Sequence, residues 1–108
     1  MAEATLNKNM IEGQIKPING MSEELLSAFY LFDRNDFMPE TMKEMSYVEK
    51  NIIFEDRRTI LKPGLIAQIA LNINLKPNEN VLILGAPTGY LSAILSQQAE
   101  TVIVVEEN

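Results

Sequence analysis

Apolar positions recur at two different spacings along the chain, and the change falls near residue 77. Upstream the spacing is helical. Leu25, Leu26 and Phe29 share one face of a predicted helix. Ser22 reads as its N-cap, Glu23 and Glu24 suit its first turn, and its end is expected near Asp33. Pro39 predicts the first residue of a short second helix, with Met42 and Met45 on its buried side. Pro63 opens a third helix over Lys62 to about Asn74, whose apolar stripe is Leu65, Ile66, Ile69 and Ile73. Between these helices "NIIF" reads as a strand or extended segment and "EDRRT" as a charged loop. At the N-terminus Met1 to Asn9 are polar and expected to fray, and "MIEGQIKPING" runs into a break at Pro17 and Gly20.

After the turn "KPNEN" the apolar residues become continuous. Val81 to Leu84 and "TVIVV" read as short strands buried on both faces. Leu91, Ile94 and Leu95 share a helical face between them. Strand, helix and strand form a βαβ unit with an expected right-handed crossover. The fold class is therefore α/β, with a helical section over residues 1–76 feeding an α/β unit over 77–108. Two parallel strands make a poor sheet alone. The expectation is the front part of a larger doubly wound sheet, the alternative a homo-oligomer that completes the core with a partner chain.

Composition narrows the function classes. A length of 108 residues allows one domain, and 46% hydrophobic with 22% charged residues is ordinary for a globular chain. A net charge of −6 argues against a nucleic-acid partner, because phosphate binding needs clustered cations. Without cysteine or histidine the chain has no thiolate or imidazole ligand, no disulfide and no histidine general base, so no metal site is expected. No stretch approaches the roughly 20 apolar residues of a membrane span. "MAEATLNKNM" lacks the layout of a signal peptide, and a cytoplasmic location is the expectation.

The candidate chemistry sits in "VLILGAPTGYLSAIL". Gly85 lets a ligand approach the main chain, Thr88 offers a hydroxyl, and Gly89 permits close packing where the helix begins. Glu106 closes the next strand, about 20 positions beyond the first glycine, where ribose hydroxyls are gripped in such folds. From these residues alone two readings stand side by side: a cofactor loop, or a turn whose glycines serve geometry only. Pro87, which lacks an N–H, and Ile83, which stands where an acid would organise the loop, favour the second. Tyr90 either lines the pocket or packs at the helix start. Arg57 and Arg58 offer a carboxylate clamp, but beside Glu55 and Asp56 they read better as a solvated cluster. Lys16 reads as a surface lysine, and Met10, Met21, Met38, Met42 and Met45 as core filling rather than an adaptable surface.

Read in order, the motifs resemble those of the protein-L-isoaspartate O-methyltransferase family. "MIEGQIKP" is similar to its M-x-x-x-Q-I-[RK], "RNDFMPE" to its R-x-x-F-V-P-E, and "RRTILKPGLIAQIA" to its G-x-T-I-S-x-P block and the helix after it. "EMSYVEKNI" resembles its Ala-Tyr-x-Asp segment, with Tyr47 as the tyrosine and Glu49 for the acid. "LKPNENVLILGAPTGYLSAIL" is similar to its L-x-P-G-x-x-V-L-E-I-G-x-G-x-G-Y-x-x-A-x-L, and "VIVVEEN" to its acidic strand end. The resemblance runs from Met10 to Asn108.

The resemblance implies a Rossmann-like sheet, of which this chain carries the first βαβ, and S-adenosylmethionine as cofactor. It implies a transferase, a carboxyl methyltransferase acting on a protein or peptide carboxylate in protein repair. Gly85, Ala86, Thr88, Gly89 and Glu106 fall on cofactor-binding positions, with Glu106 on the ribose. Thr59, Ile60, Leu61 and Pro63 fall on the substrate-side block. No catalytic side chain is assigned. Three departures stand out: Ile83 replaces an acid, Ala86 and Pro87 fill a loop where glycine is usual, and Leu61 replaces a serine. A divergent bacterial branch also lacks that serine, which makes Leu61 the mark of a subfamily with another substrate. The departures also leave an alternative: a truncated or degenerate non-catalytic remnant serving as an interaction module.

Overall fold

The computed structural model describes residues 2–54, 58–84 and 88–105. The polar N-terminus, expected to fray, is instead a helix, α1 (Ala2–Met10). It runs into a π-helical turn over Ile11–Ile15, closed by the Lys16 N–H on the Ile11 carbonyl at 2.8 Å. The reason is tertiary. The buried Asn7 side chain accepts the Arg34 backbone N–H at 3.1 Å, and Met10, Ile11 and Ile15 enter the main core. The break at Pro17 and Gly20 is present, and Gly20 adopts a left-handed φ of 88°, open to glycine at little cost.

Helix α2 (Glu23–Leu31) begins as its sequence predicts, with the Ser22 hydroxyl accepting the Leu25 N–H at 3.1 Å. It buries Leu25, Leu26, Ala28 and Phe29. It stops at Leu31, ahead of Asp33, because the Asp33 carboxylate caps a separate 3-10 turn, Arg34–Phe37, by accepting the Asn35 N–H at 2.9 Å. Pro39 does not start an α-helix. It precedes a 3-10 segment, Glu40–Met45, that buries no residue fully. The small core there consists of Met38, Ile52 and Ile60, with Met42 and Val48 packed against it. It covers Met42 and leaves Met45 exposed, so the shared buried side expected for the pair is not formed. Of the other methionines, Met10 and Met38 are buried and Met21 packs against the main core.

"NIIF" supplies β1 (Ile52–Phe54). The expected charged loop is partly strand: Arg58–Ile60 form β2, antiparallel to β1, with Ile52 opposite Ile60 and Thr59 opposite Ile53. Two β-branched residues and a facing apolar strand outweigh the local charge. Helix α3 (Pro63–Ile73) has the predicted bounds, with Asn74 in the left-handed conformation at its end. Its buried face differs from the predicted stripe. Pro63, Ile66, Ala67 and Ala70 are buried, while Leu65 and Ile69 are half-buried and Ile73 is exposed. Ala67 and Ala70 belong to the main core together with Ile11 and Ile15 of the π-helical turn and Ile94 and Leu95 of α4, and α3 contacts both of those elements.

Strands β3 (Asn80–Leu84) and β4 (Thr101–Val105) pair in parallel, Leu82 with Ile103 and Leu84 with Val105, joined by α4 (Tyr90–Ser96). They are not buried on both faces. Val81, Ile83 and Val102 pack against the main core. Leu82, Leu84, Ile103 and Val105 on the other face are 58%, 71%, 54% and 50% exposed, because no described element covers them. The main core is continuous from Met10 through α2 and α3 to Tyr90, Ile94 and Leu95 of α4.

Candidate functional site

One pocket gathers the two blocks singled out in the sequence. Its volume is about 220 Å³. On one side stand Thr59, Ile60 and Leu61; on the other Ile83, Leu84, Thr88, Tyr90 and Leu91. Ile66 of α3 and Arg34 complete the described lining. β2 brings the first group in, and the carboxyl end of β3 with the start of α4 brings the second. The carboxyl ends of parallel strands are where open α/β sheets bind ligands. A larger cleft of about 480 Å³, bordered by Glu24, Ser27, Leu75 and Gln97, is lined by none of the residues chosen from the sequence.

Other site residues are placed differently. Pro63 is buried as the first residue of α3 and does not line the pocket. Gly89 caps α4 beside Phe37, whose ring a Cβ at this position would meet at 3.7 Å, an ordinary contact. Gly85, Ala86, Pro87 and Glu106 lie outside the described residues, as do Glu55, Asp56 and Arg57. Lys16 is exposed. Thr88 is half-buried, and its hydroxyl accepts the Tyr90 N–H at 3.3 Å, which fixes the entry into α4. Among the described residues no group of acidic side chains is arranged to hold a metal.

Arg34 is the residue the sequence reading left without a role. It is 2% exposed. Its Nη2 donates to the Leu61 carbonyl at 2.7 Å, and its guanidinium carbon lies 4.9 Å from the centre of the Tyr90 ring. Nε is enclosed without a partner. Burial lowers the Arg34 pKa from its ordinary value, and the neighbouring Tyr90 opposes that shift. A lone arginine at the head of "RNDFMPE" carries no periodicity that announces burial. The one sequence signal was its place within a quoted motif.

Tyr90 combines both roles considered for it. It lines the pocket and is 1% exposed in the core. Phe29 meets its ring edge-on at 6.1 Å and Phe37 lies tilted against it at 5.5 Å, so three aromatics wedge α2, the Arg34–Phe37 turn and α4 together. The hydroxyl is enclosed without a hydrogen bond of good geometry. Burial pushes its pKa well above the usual phenol range, and Arg34 pulls the other way.

Whether the pocket suits S-adenosylmethionine is decided by size and lining. Small-molecule pockets run from about 300 Å³ upward, so 220 Å³ takes part of such a ligand. Apolar walls with two threonine hydroxyls suit the alkyl arms of that ligand, and the charge of Arg34 in the same lining is engaged by the Leu61 carbonyl and the Tyr90 ring.

Comparison with known proteins finds relatives over nearly the whole chain. A family model described as protein-L-isoaspartate(D-aspartate) O-methyltransferase matches residues 5–107. A protein of Herpetosiphon aurantiacus named protein-L-isoaspartate O-methyltransferase is 26% identical over 101 residues, covering 94% of this chain and 45% of its own. One of the same name from Rhodopseudomonas palustris is 30% identical over 97 residues, covering 90% and 44%. A solved structure of a protein-L-isoaspartate O-methyltransferase superposes with a TM-score of 0.70 at 22% identity, over 98% of this chain and 34% of its own. The last shows the shared fold. The chain spans about half the length of the curated relatives it matches. With nearly all its residues matched by the family model, the chain belongs to the protein-L-isoaspartate(D-aspartate) O-methyltransferase family.

Proposed function

We propose that the pocket between Thr59–Leu61 and Thr88–Leu91 holds the reacting part of S-adenosylmethionine, and that the chain serves methyl transfer to a protein carboxylate. The observation that supports this reading is the convergence itself: two motifs separated by more than a helix and a strand line one pocket at the carboxyl end of β3. The cofactor supplies a methyl group already activated by the positive sulfur. A carboxylate acceptor is already ionised, so the protein's task is to align the two groups in line, and no general base is required. The absence of histidine is compatible with this chemistry.

In this reading Gly85, Ala86, Thr88, Gly89 and Glu106 hold the cofactor. Thr59, Ile60 and Leu61 form the acceptor side, and Pro63 fixes the segment by starting α3. Leu61 offers no hydroxyl, which leaves Thr59 as the nearest one on that side of the pocket. A cytoplasmic protein substrate belongs to the same proposal. The test is calorimetric titration of the chain with S-adenosylhomocysteine. Saturable binding supports the proposal; no heat at millimolar ligand overturns it for this chain.

A further inference from the structure

We infer that Arg34 is a positioning residue that locks the acceptor-side segment to the start of α4, so that the two walls of the pocket move as one. The inference rests on the proposed reading of the pocket, and it assigns a role to a residue that the motif comparison left unassigned.

Three contacts carry it. The Arg34 backbone N–H is held by the Asn7 side chain at 3.1 Å, which anchors the residue to α1. The side chain crosses to the acceptor wall, where Nη2 holds the Leu61 carbonyl at 2.7 Å. The guanidinium carbon lies over the Tyr90 ring, 4.9 Å from its centre. Leu61 and Tyr90 come from different segments of the chain and both line the pocket, and Arg34 touches both.

The chemistry suits arginine and no other side chain. A guanidinium donates several hydrogen bonds and also interacts through its charge with an aromatic ring, so one group makes both contacts. A lysine ammonium offers the charge and one hydrogen bond, without the flat face. The Leu61 carbonyl stands just before the α3 start at Lys62 and Pro63, where proline supplies no N–H. The segment is therefore held by its carbonyl from the arginine side and by the Lys62 N–H, which donates to the Asn51 side chain at 2.8 Å. Burying a cation is costly unless its surroundings fix its geometry. At Arg34 that cost is met by contacts that join the two walls.

The test uses the whole 108-residue chain and has an arm that needs no ligand. Tyr90→Leu removes the ring over which the Arg34 guanidinium lies on the α4 side. In the native background we expect it to shift the amide resonances of Ile60 and Leu61. In an Arg34→Met background, which keeps length and packing, the same substitution leaves those two resonances in place. No shift in the native background, or equal shifts in both backgrounds, overturns the inference. The second arm is titration with S-adenosylhomocysteine. In the native chain the ligand moves the amides of both Thr88–Leu91 and Thr59–Leu61. In Arg34→Met the response at Thr59–Leu61 is lost and affinity falls about 10-fold, equivalent to about 1.4 kcal/mol of lost preorganisation. Arg34→Lys recovers part of both, because it restores a donor to the Leu61 carbonyl. Unchanged affinity with both responses intact in Arg34→Met overturns the inference. Failure of the native chain to bind overturns the proposed function, and the first arm then still decides the role of Arg34.

Discussion

The Tyr47 hydroxyl donates to Asp33 Oδ1 at 2.6 Å, and the same oxygen accepts the Asn35 N–H that opens the Arg34 turn. Tyr47 also accepts, through its carbonyl, a 2.7 Å hydrogen bond from the Gln14 side chain. One tyrosine thus ties the π turn to the segment that carries Arg34. Tyr47→Phe keeps the ring and the carbonyl and removes only the charged hydrogen bond. We expect a loss of about 1.5 kcal/mol, which lowers the thermal midpoint by several degrees in a domain of about 100 residues. A circular dichroism melt measures this; an unchanged midpoint would show that the bond contributes nothing net.

Phe29 is fully buried and meets the Tyr90 ring edge-on at 6.1 Å. Phe29→Ala leaves a cavity at the centre of the aromatic wedge. The expected cost is about 3–5 kcal/mol, enough to unfold a marginal domain, whereas Phe29→Leu should be much milder because most of the volume is kept. Urea titration distinguishes the two, and equal midpoints for both variants would contradict the packing described.

The Tyr90 phenol gives a pH dependence with a definite sign. Its folded pKa is raised by burial above the unfolded value. Its contribution to stability is therefore fully present below about pH 10, where an unfolded tyrosine is still protonated. Above that pH the unfolded state loses a proton that the folded state keeps, and stability falls as pH rises. Denaturation midpoints between pH 9 and pH 11 should decline less steeply in Tyr90→Phe than in the native chain. Parallel slopes would count against the burial of this hydroxyl.

Thr88 bears on both the helix and the ligand. Its hydroxyl accepts the Tyr90 N–H just ahead of the helix, so Thr88→Val should cost about 1 kcal/mol, the usual net value of a lost hydrogen bond. If the pocket holds the cofactor as proposed, the same change weakens S-adenosylhomocysteine binding and Thr88→Ser preserves it. Calorimetry on the two variants checks this, and identical affinities would remove Thr88 from the cofactor side.

Local chemistry made some elements legible in advance. Ser22 followed by two glutamates marked the start of α2, Pro63 the start of α3, and the two aliphatic runs marked β3 and β4. In each case the signal is carried by the residue's own backbone or capping chemistry. The ordered motifs likewise placed Thr59–Leu61 and Thr88 among the candidates before any geometry was known, and the pocket brings them together.

Other features depend on distant partners. The helix at the N-terminus exists because Asn7 reaches Arg34, 27 residues away. Arg58 and Thr59 are in a strand because Phe54 and Ile53 face them. The buried face of α3 includes Ala67 and Ala70, which enter the main core, although larger residues nearby form the better stripe on paper. Arg34 lies furthest from local prediction: a charged residue in a polar loop reads as solvated, and only the proximity of the Leu61 carbonyl and the Tyr90 ring makes its burial possible. By itself the sequence determined where α2, α3, β3 and β4 begin and to which family the chain belongs. The tertiary structure decided which faces those elements bury and which residues join the two walls of the pocket, because burial is a property of contacts between segments that are remote along the chain.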